Sequence, residues 1–190
     1  FYKKIFEKPY YYVDKTLLIR DLLEKGGTVT LFTRPRRFGK TLALQMLRTF
    51  FEQEIDRSGA VVDNSRYFEG TKIMEAGEAY TALMGQYPVI SLSLKSAKQP
   101  DFGMAYACLR ETVAEEFDRH GYLLRAEDMS EHDKEKFMQL RDRQAGREDY
   151  VTSLRFLSRC LHAYHGTNVV ILIDEYDVPL ENAFFRGFYD

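Results

Sequence analysis

The segment Thr28-Val29-Thr30-Leu31-Phe32-Thr33-Arg34-Pro35-Arg36-Arg37-Phe38-Gly39-Lys40-Thr41 decides how the rest of the chain is read. Its apolar run after the turn signal Gly26-Gly27 predicts a strand over 28–33. From 41 to 52 the pattern turns helical, with Leu42, Met46, Leu47, Phe50 and Phe51 on one face. The loop between them is close to G-x-x-x-x-G-K-[ST], the Walker A pattern, with Arg34 where the first glycine belongs. A strand–loop–helix turn aims free backbone N–H groups and the positive end of a helix at one spot, which suits phosphate. In that reading Lys40 reaches the β- and γ-phosphates, the Thr41 hydroxyl ligates Mg²⁺, and Gly39 lets the backbone come close. Pro35 has no N–H and pushes Arg34 toward extended geometry, so the guanidinium forks of Arg36 and Arg37 stand in for lost donors. The nucleotide-binding set is Arg36, Arg37, Phe38, Gly39, Lys40, Thr41 and Leu42. A basic surface loop that caps a helix and binds nothing is the competing reading.

A second run supports the first. Val169 to Ile173 is continuous and β-branched, the pattern of a strand covered on both faces, and it leads directly into Asp174-Glu175-Tyr176-Asp177. Carboxylates at the carboxyl end of a buried parallel strand sit where doubly wound sheets bind ligands. Asp174 suits the Mg²⁺ shell, through water, and Glu175 is placed to polarise an attacking water, the catalytic role. Asp177 reads better as a turn carboxylate before Pro179. An ordinary polar strand terminus is the alternative for Asp174 and Glu175. Two such strand ends in the expected order, in one chain, are the signature of nucleotide binding.

Elsewhere the chain alternates. Pro88 to Leu94 predicts a strand, helices are expected near 14–25 with Asp14 as N-cap, over 101–119 and over 149–164. Strands separated by helices imply a parallel α/β sheet. Residues 115–149 mix charges with little periodicity and read as a solvated helical excursion. Cys108 and Cys160 lie far apart and outside any C-x-x-C, which argues against a disulfide framework or zinc ribbon and suits two reduced, buried thiols in the cytoplasm. His162 and His165 form HxxH with no acidic third ligand nearby, so two surface histidines are expected rather than a metal site.

Composition sets the outer limits. At 45% hydrophobic and 29% charged, the 190 residues are neither disordered nor membrane-like, and one domain with a real core is the expectation. A net charge of −2 supplies no global field for nucleic acid or anionic lipid. The chain opens on Phe1 and stops just after an apolar aromatic run, which reads as an excerpt of a longer protein.

The residues also carry a resemblance. Tyr12-Val13-Asp14-Lys15-Thr16-Leu17-Leu18-Ile19, the Thr33–Thr41 loop, Tyr87-Pro88-Val89-Ile90 and Ile173-Asp174-Glu175-Tyr176-Asp177-Val178-Pro179-Leu180 resemble the N-terminal part of the bacterial AAA-ATPase-like P-loop proteins. Many of these carry a PD-(D/E)XK nuclease-like domain further on. The Arg-Pro-Arg-Arg-Phe-Gly-Lys-Thr form is that family's own variant. The resemblance implies a parallel-sheet P-loop fold of the additional-strand ATPase class, ATP with Mg²⁺, and an attached or partner domain moved by hydrolysis. It also implies that Val13–Thr16 packs near the nucleotide. In such sheets a later strand with a polar sensor separates the phosphate-loop strand from the acidic one, so 1–190 is expected to be an incomplete domain with a gap in its sheet. A nucleotide-responsive scaffold with negligible turnover and an ATPase serving a nuclease-like domain are the alternatives. Neither membrane contact nor direct nucleic-acid binding by this part is expected, because the basic run Arg34, Arg36 and Arg37 lies in the phosphate loop itself.

Overall fold

The computed structural model describes residues 2–7, 10–33 and 38–189. Those residues form two compact units, one of Phe1–Asp56 with Ala60–Val89, the other of Arg57–Gly59 with Ile90–Asp190. The chain is mixed α/β.

The first unit is helical and its core is rich in rings. It contains α1 (Tyr2–Glu7), α2 (Leu17–Lys25), α3 (Lys40–Phe51), a 3-10 turn at Ser65–Tyr67 and the short α4 (Glu78–Thr81). Tyr2 is buried with its ring centroid 5.2 Å from Phe6, 5.9 Å from Tyr12 and 5.6 Å from Phe68. Phe50 completes the cluster at 5.2 Å from Phe68, and Ile19, Met46, Leu47 and Ile73 fill in around it. Edge-to-face pairs of this kind add roughly 0.5–1.5 kcal/mol beyond area burial. The C-terminal end of α3 is tied down by Gly85 N–H to Phe50 O (2.8 Å) and Tyr87 N–H to Phe51 O (2.9 Å).

The expected strand over 28–33 is not formed. Val29 and Leu31 are 87% and 60% exposed, and the segment makes no backbone hydrogen bond among the described residues. An apolar run becomes a strand only when a neighbour takes its N–H and C=O groups. The helix expected from Asp14 starts later, at Leu17: Asp14 Oδ1 accepts from Thr16 N–H at 2.8 Å, which holds 14–16 in a turn ahead of the helix.

The second unit holds the sheet. β1 (Val89–Ser93) pairs in parallel with β2 (Val170–Asp174). Between them in sequence come a 3-10 turn at Leu94–Ala97, α5 (Phe102–Arg119), a 3-10 turn at Gly121–Arg125, α6 (Glu131–Arg141) and α7 (Arg147–His165). After β2 comes α8 (Val178–Arg186). Asp101 caps α5 by accepting Met104 N–H at 2.9 Å, and Ser130 caps α6 through Asp133 N–H at 3.1 Å. Two expectations change here. The stretch 115–149 is not a solvated excursion, since Phe117, Leu123, Phe137 and Leu140 are buried in the core with Ile90, Leu92, Leu157 and Leu161. Its surface carries the charges, so the apolar residues hide in a helix-turn-helix whose periodicity restarts at each cap. Nor is β2 covered on both faces: Leu172 is buried while Ile171 and Ile173 are 46% and 39% exposed.

Both cysteines are free; Cys160 is buried and burial pushes its thiol up to about 11, whereas Cys108 is half-buried. His165 differs from a surface histidine: its Nε2 lies 2.8 Å from the Tyr122 hydroxyl. No described helix is long and apolar enough to cross a membrane.

Candidate functional site

Gly39 and Lys40 mark the turn into α3. Gly39 is left-handed (φ 76°), a conformation that costs a side-chain-bearing residue about 1 kcal/mol or more, and it stands as the N-cap with no side-chain cap. The first turn of α3 holds Lys40, Thr41 and Leu42 and no acidic residue. Lys40 opens a 12-residue helix whose N-cap residue offers no side-chain acceptor, and the start of a helix carries the positive end of its dipole. Phe38, one residue earlier, is 63% exposed. Arg36 and Arg37, with Arg34 and Pro35, lie outside the described residues.

Behind this turn is a clip that the sequence reading did not find. Asp14 Oδ2 accepts Lys72 N–H at 2.7 Å and Thr16 Oγ1 accepts Ile73 N–H at 3.1 Å. Thr16 is fully buried. Burial opposes the Asp14 carboxylate, but the N–H groups of Lys72 and Thr16 outweigh it and hold its carboxyl below the usual range. Tyr12 adds a contact to α3, its hydroxyl 3.9 Å from Met46 Sδ. Between the two anchored residues stands Lys15, exposed, and a β-carbon placed on Gly39 would lie 3.8 Å from Lys15 Nζ. Only the alternation anchor–lysine–anchor hints at this in sequence.

In the second unit, Asp174 ends β2 and Glu175 follows, both half-buried. Glu175 is left-handed with φ 56°, uncommon for a residue with a side chain, and its carbonyl accepts Val178 N–H at 3.1 Å as the chain turns into α8. A carboxylate on a strained turn at the carboxyl end of a parallel strand belongs to the class of positions that sites use. Asp177 starts α8, its carbonyl receiving Glu181 N–H at 2.9 Å, in keeping with a structural turn residue. The other strand is secured from the side: Glu116 of α5 accepts Ser91 N–H of β1 at 2.8 Å while bonded to Arg119 and His120. No group of three or more His, Cys, Asp or Glu among the described residues is arranged to hold a metal ion.

Comparison with known proteins bears on the family of the chain. A curated relative, an uncharacterized protein in the vnfD 5′ region of Azotobacter chroococcum mcd 1, is 29% identical over 171 residues, covering 90% of this chain and 26% of that protein. The chain thus spans about a quarter of the length of that relative. No solved structure matches it. A family model described as "Predicted AAA-ATPase" matches residues 1–189. With both the phosphate-loop turn and the acidic strand end inside that match, the chain belongs to the AAA-ATPase-like family.

Proposed function

We propose that this chain is the nucleotide-binding part of a P-loop ATPase of the additional-strand class, using ATP and Mg²⁺ to drive a conformational change in an attached or partner domain. The observation that carries the reading is the Gly39-Lys40-Thr41 turn, where α3 opens uncapped and free of acid at a left-handed glycine. Lys40 neutralises the β- and γ-phosphates, and the N–H groups of the first turn of α3 cradle them. Arg36, Arg37 and Phe38 extend the same loop, and Leu42 continues it into the helix. Thr41 and Asp174 are the oxygen donors for Mg²⁺, which supplies charge neutralisation when bound. Glu175 accepts a proton from the attacking water or orients it; its left-handed backbone, uncommon for a residue with a side chain, supports a functional role at that position.

The test is nucleotide binding and turnover by the full-length protein. Lys40→Ala is expected to lower ATP affinity by about tenfold or more, the value of a lost charge-assisted contact. Glu175→Gln is expected to keep affinity and to lose turnover by about 10²-fold or more. Unchanged affinity in Lys40→Ala would sink the whole reading; equal turnover in wild type and Glu175→Gln would leave a nucleotide-responsive scaffold.

A further inference from the structure

We propose that Asn182 of α8 is a positioning residue for Glu175, fixing the turn that carries it by tying α8 to the Gln99 carbonyl. The inference rests on the reading of Glu175 above and adds a residue outside both nucleotide motifs.

A left-handed residue such as Glu175, at φ 56°, persists only where its surroundings over-determine it. The supports lie on either side of the turn. Upstream, β2 pairs with β1. Downstream, Val178 N–H bonds to the Glu175 carbonyl at 3.1 Å and α8 begins. That helix is not seated by its large apolar residues, because Leu180, Phe184 and Phe185 are all exposed. The one buried residue of α8 is Asn182. Its Nδ2 donates to the Gln99 carbonyl at 2.6 Å, across 83 positions of sequence. A buried amide is costly unless it is bonded, and the bond, unlike apolar burial, is directional. It therefore sets the rotation and height of the helix rather than only holding it down. The acceptor is itself fixed. Gln99 Nε2 donates to Ser96 O at 3.0 Å, inside the 3-10 turn, and lies 3.4 Å from Cys108 Sγ of α5. β1 and Gln99 belong to one stretch, 89–99, so both flanks of the Glu175 turn are tied to the same short segment. Only Tyr176 and Asp177 separate Glu175 from the start of α8, so a shift of the helix is passed to the turn.

The experiment measures ATP turnover, ATP affinity and thermal melting of the full-length protein for wild type, Asn182→Leu, Asn182→Ala, Glu175→Gln and the two double variants. Asn182→Leu keeps the volume and Asn182→Ala removes it, so an effect common to both is the lost bond rather than a packing fault. Each is expected to lower kcat by about ten- to hundredfold, the cost of a catalytic group misplaced by about an ångström, with KM and ATP affinity within about threefold. Added to Glu175→Gln, either change is expected to lower turnover by less than about twofold, because the residue it positions is already gone. Unchanged kcat in both Asn182 variants, beside a large loss in Glu175→Gln, would overturn the proposal and leave the reading of Glu175 intact. A further loss of about tenfold in the double variants, or a fall in affinity equal to that in kcat, would overturn it too, since each marks a general loosening. So would loss of the cooperative melting transition in both Asn182 variants, which would place Asn182 among the residues that hold the fold. If Glu175→Gln turns over as fast as wild type, the reading of Glu175 falls and the role of Asn182 falls with it.

Discussion

Two apolar runs of similar length, 28–33 and 169–173, end in opposite states. The second is strand β2 over most of its length, with Leu172 buried, Val169 packed against the helical core, and a pairing to β1, whose Ile90 and Leu92 lie in that core. The first is irregular, with Val29 and Leu31 in solvent. Their compositions do not explain this, because both are rich in β-branched residues. The difference is partnership: β2 has a neighbouring strand and a covering layer within its own unit, and 28–33 has neither among the described residues. Strand propensity is a statement about fitting a pleated, half-buried surface, and without that surface it has nothing to act on.

The contrast can be broken at several points. The largest effect is expected from Phe117→Ala, which empties the core beneath the sheet where the ring packs 4.9 Å from Phe137. A loss of about 3–5 kcal/mol in denaturant unfolding is expected. A cost near that of a surface change would mean that the helical layer does not support β2.

Next comes acid. Burial opposes the Glu116 carboxylate, yet His120 and Arg119 hold its carboxyl at about 2, below the ordinary 4.5. A carboxyl depressed in the folded state contributes stability that is complete above the unfolded value and is lost as pH falls toward the folded one. Unfolding curves should therefore lose roughly 3 kcal/mol between about pH 4.5 and about pH 2. The Glu116→Gln variant should show a shallower fall over the same window; an identical slope would remove Glu116 as the acid-sensitive tie to β1.

In the first unit, Thr16→Val strands the Ile73 N–H in a buried place and is expected to cost about 1–3 kcal/mol. If thermal melting is unmoved, the clip that carries Lys15 is not a structural constraint. The smallest change belongs to the unpaired run: Val29→Ser and Leu31→Ser should each stay within about 0.5 kcal/mol in this chain. A cost above about 2 kcal/mol for either would show that the run is buried in solution, and the contrast with β2 would vanish.

Local signals were the legible part. The glycine turn at Gly39, the helix that follows it, the helix over 101–119 and the acidic end of β2 all follow from short-range rules about backbone freedom and hydrogen-bond supply. The family resemblance was legible for the same reason, since it rests on those short segments, and the match over residues 1–189 bears it out. What misled was any inference that needed a partner. The 115–149 stretch looked solvated because its charges are adjacent in sequence, although Phe117, Leu123, Phe137 and Leu140 meet in one core.

By itself, then, the sequence determined where the chain can turn and where it sets charged side chains at a helix start and a strand end, because each of those depends on a few neighbouring residues. Only the tertiary structure decided that Lys15 meets Gly39, that Glu116 secures Ser91, and that one apolar run is a strand while another is not. These are contacts between residues 24, 25 and more positions apart. Such contacts depend on which surfaces the packed helices bring together, and no local pattern encodes that.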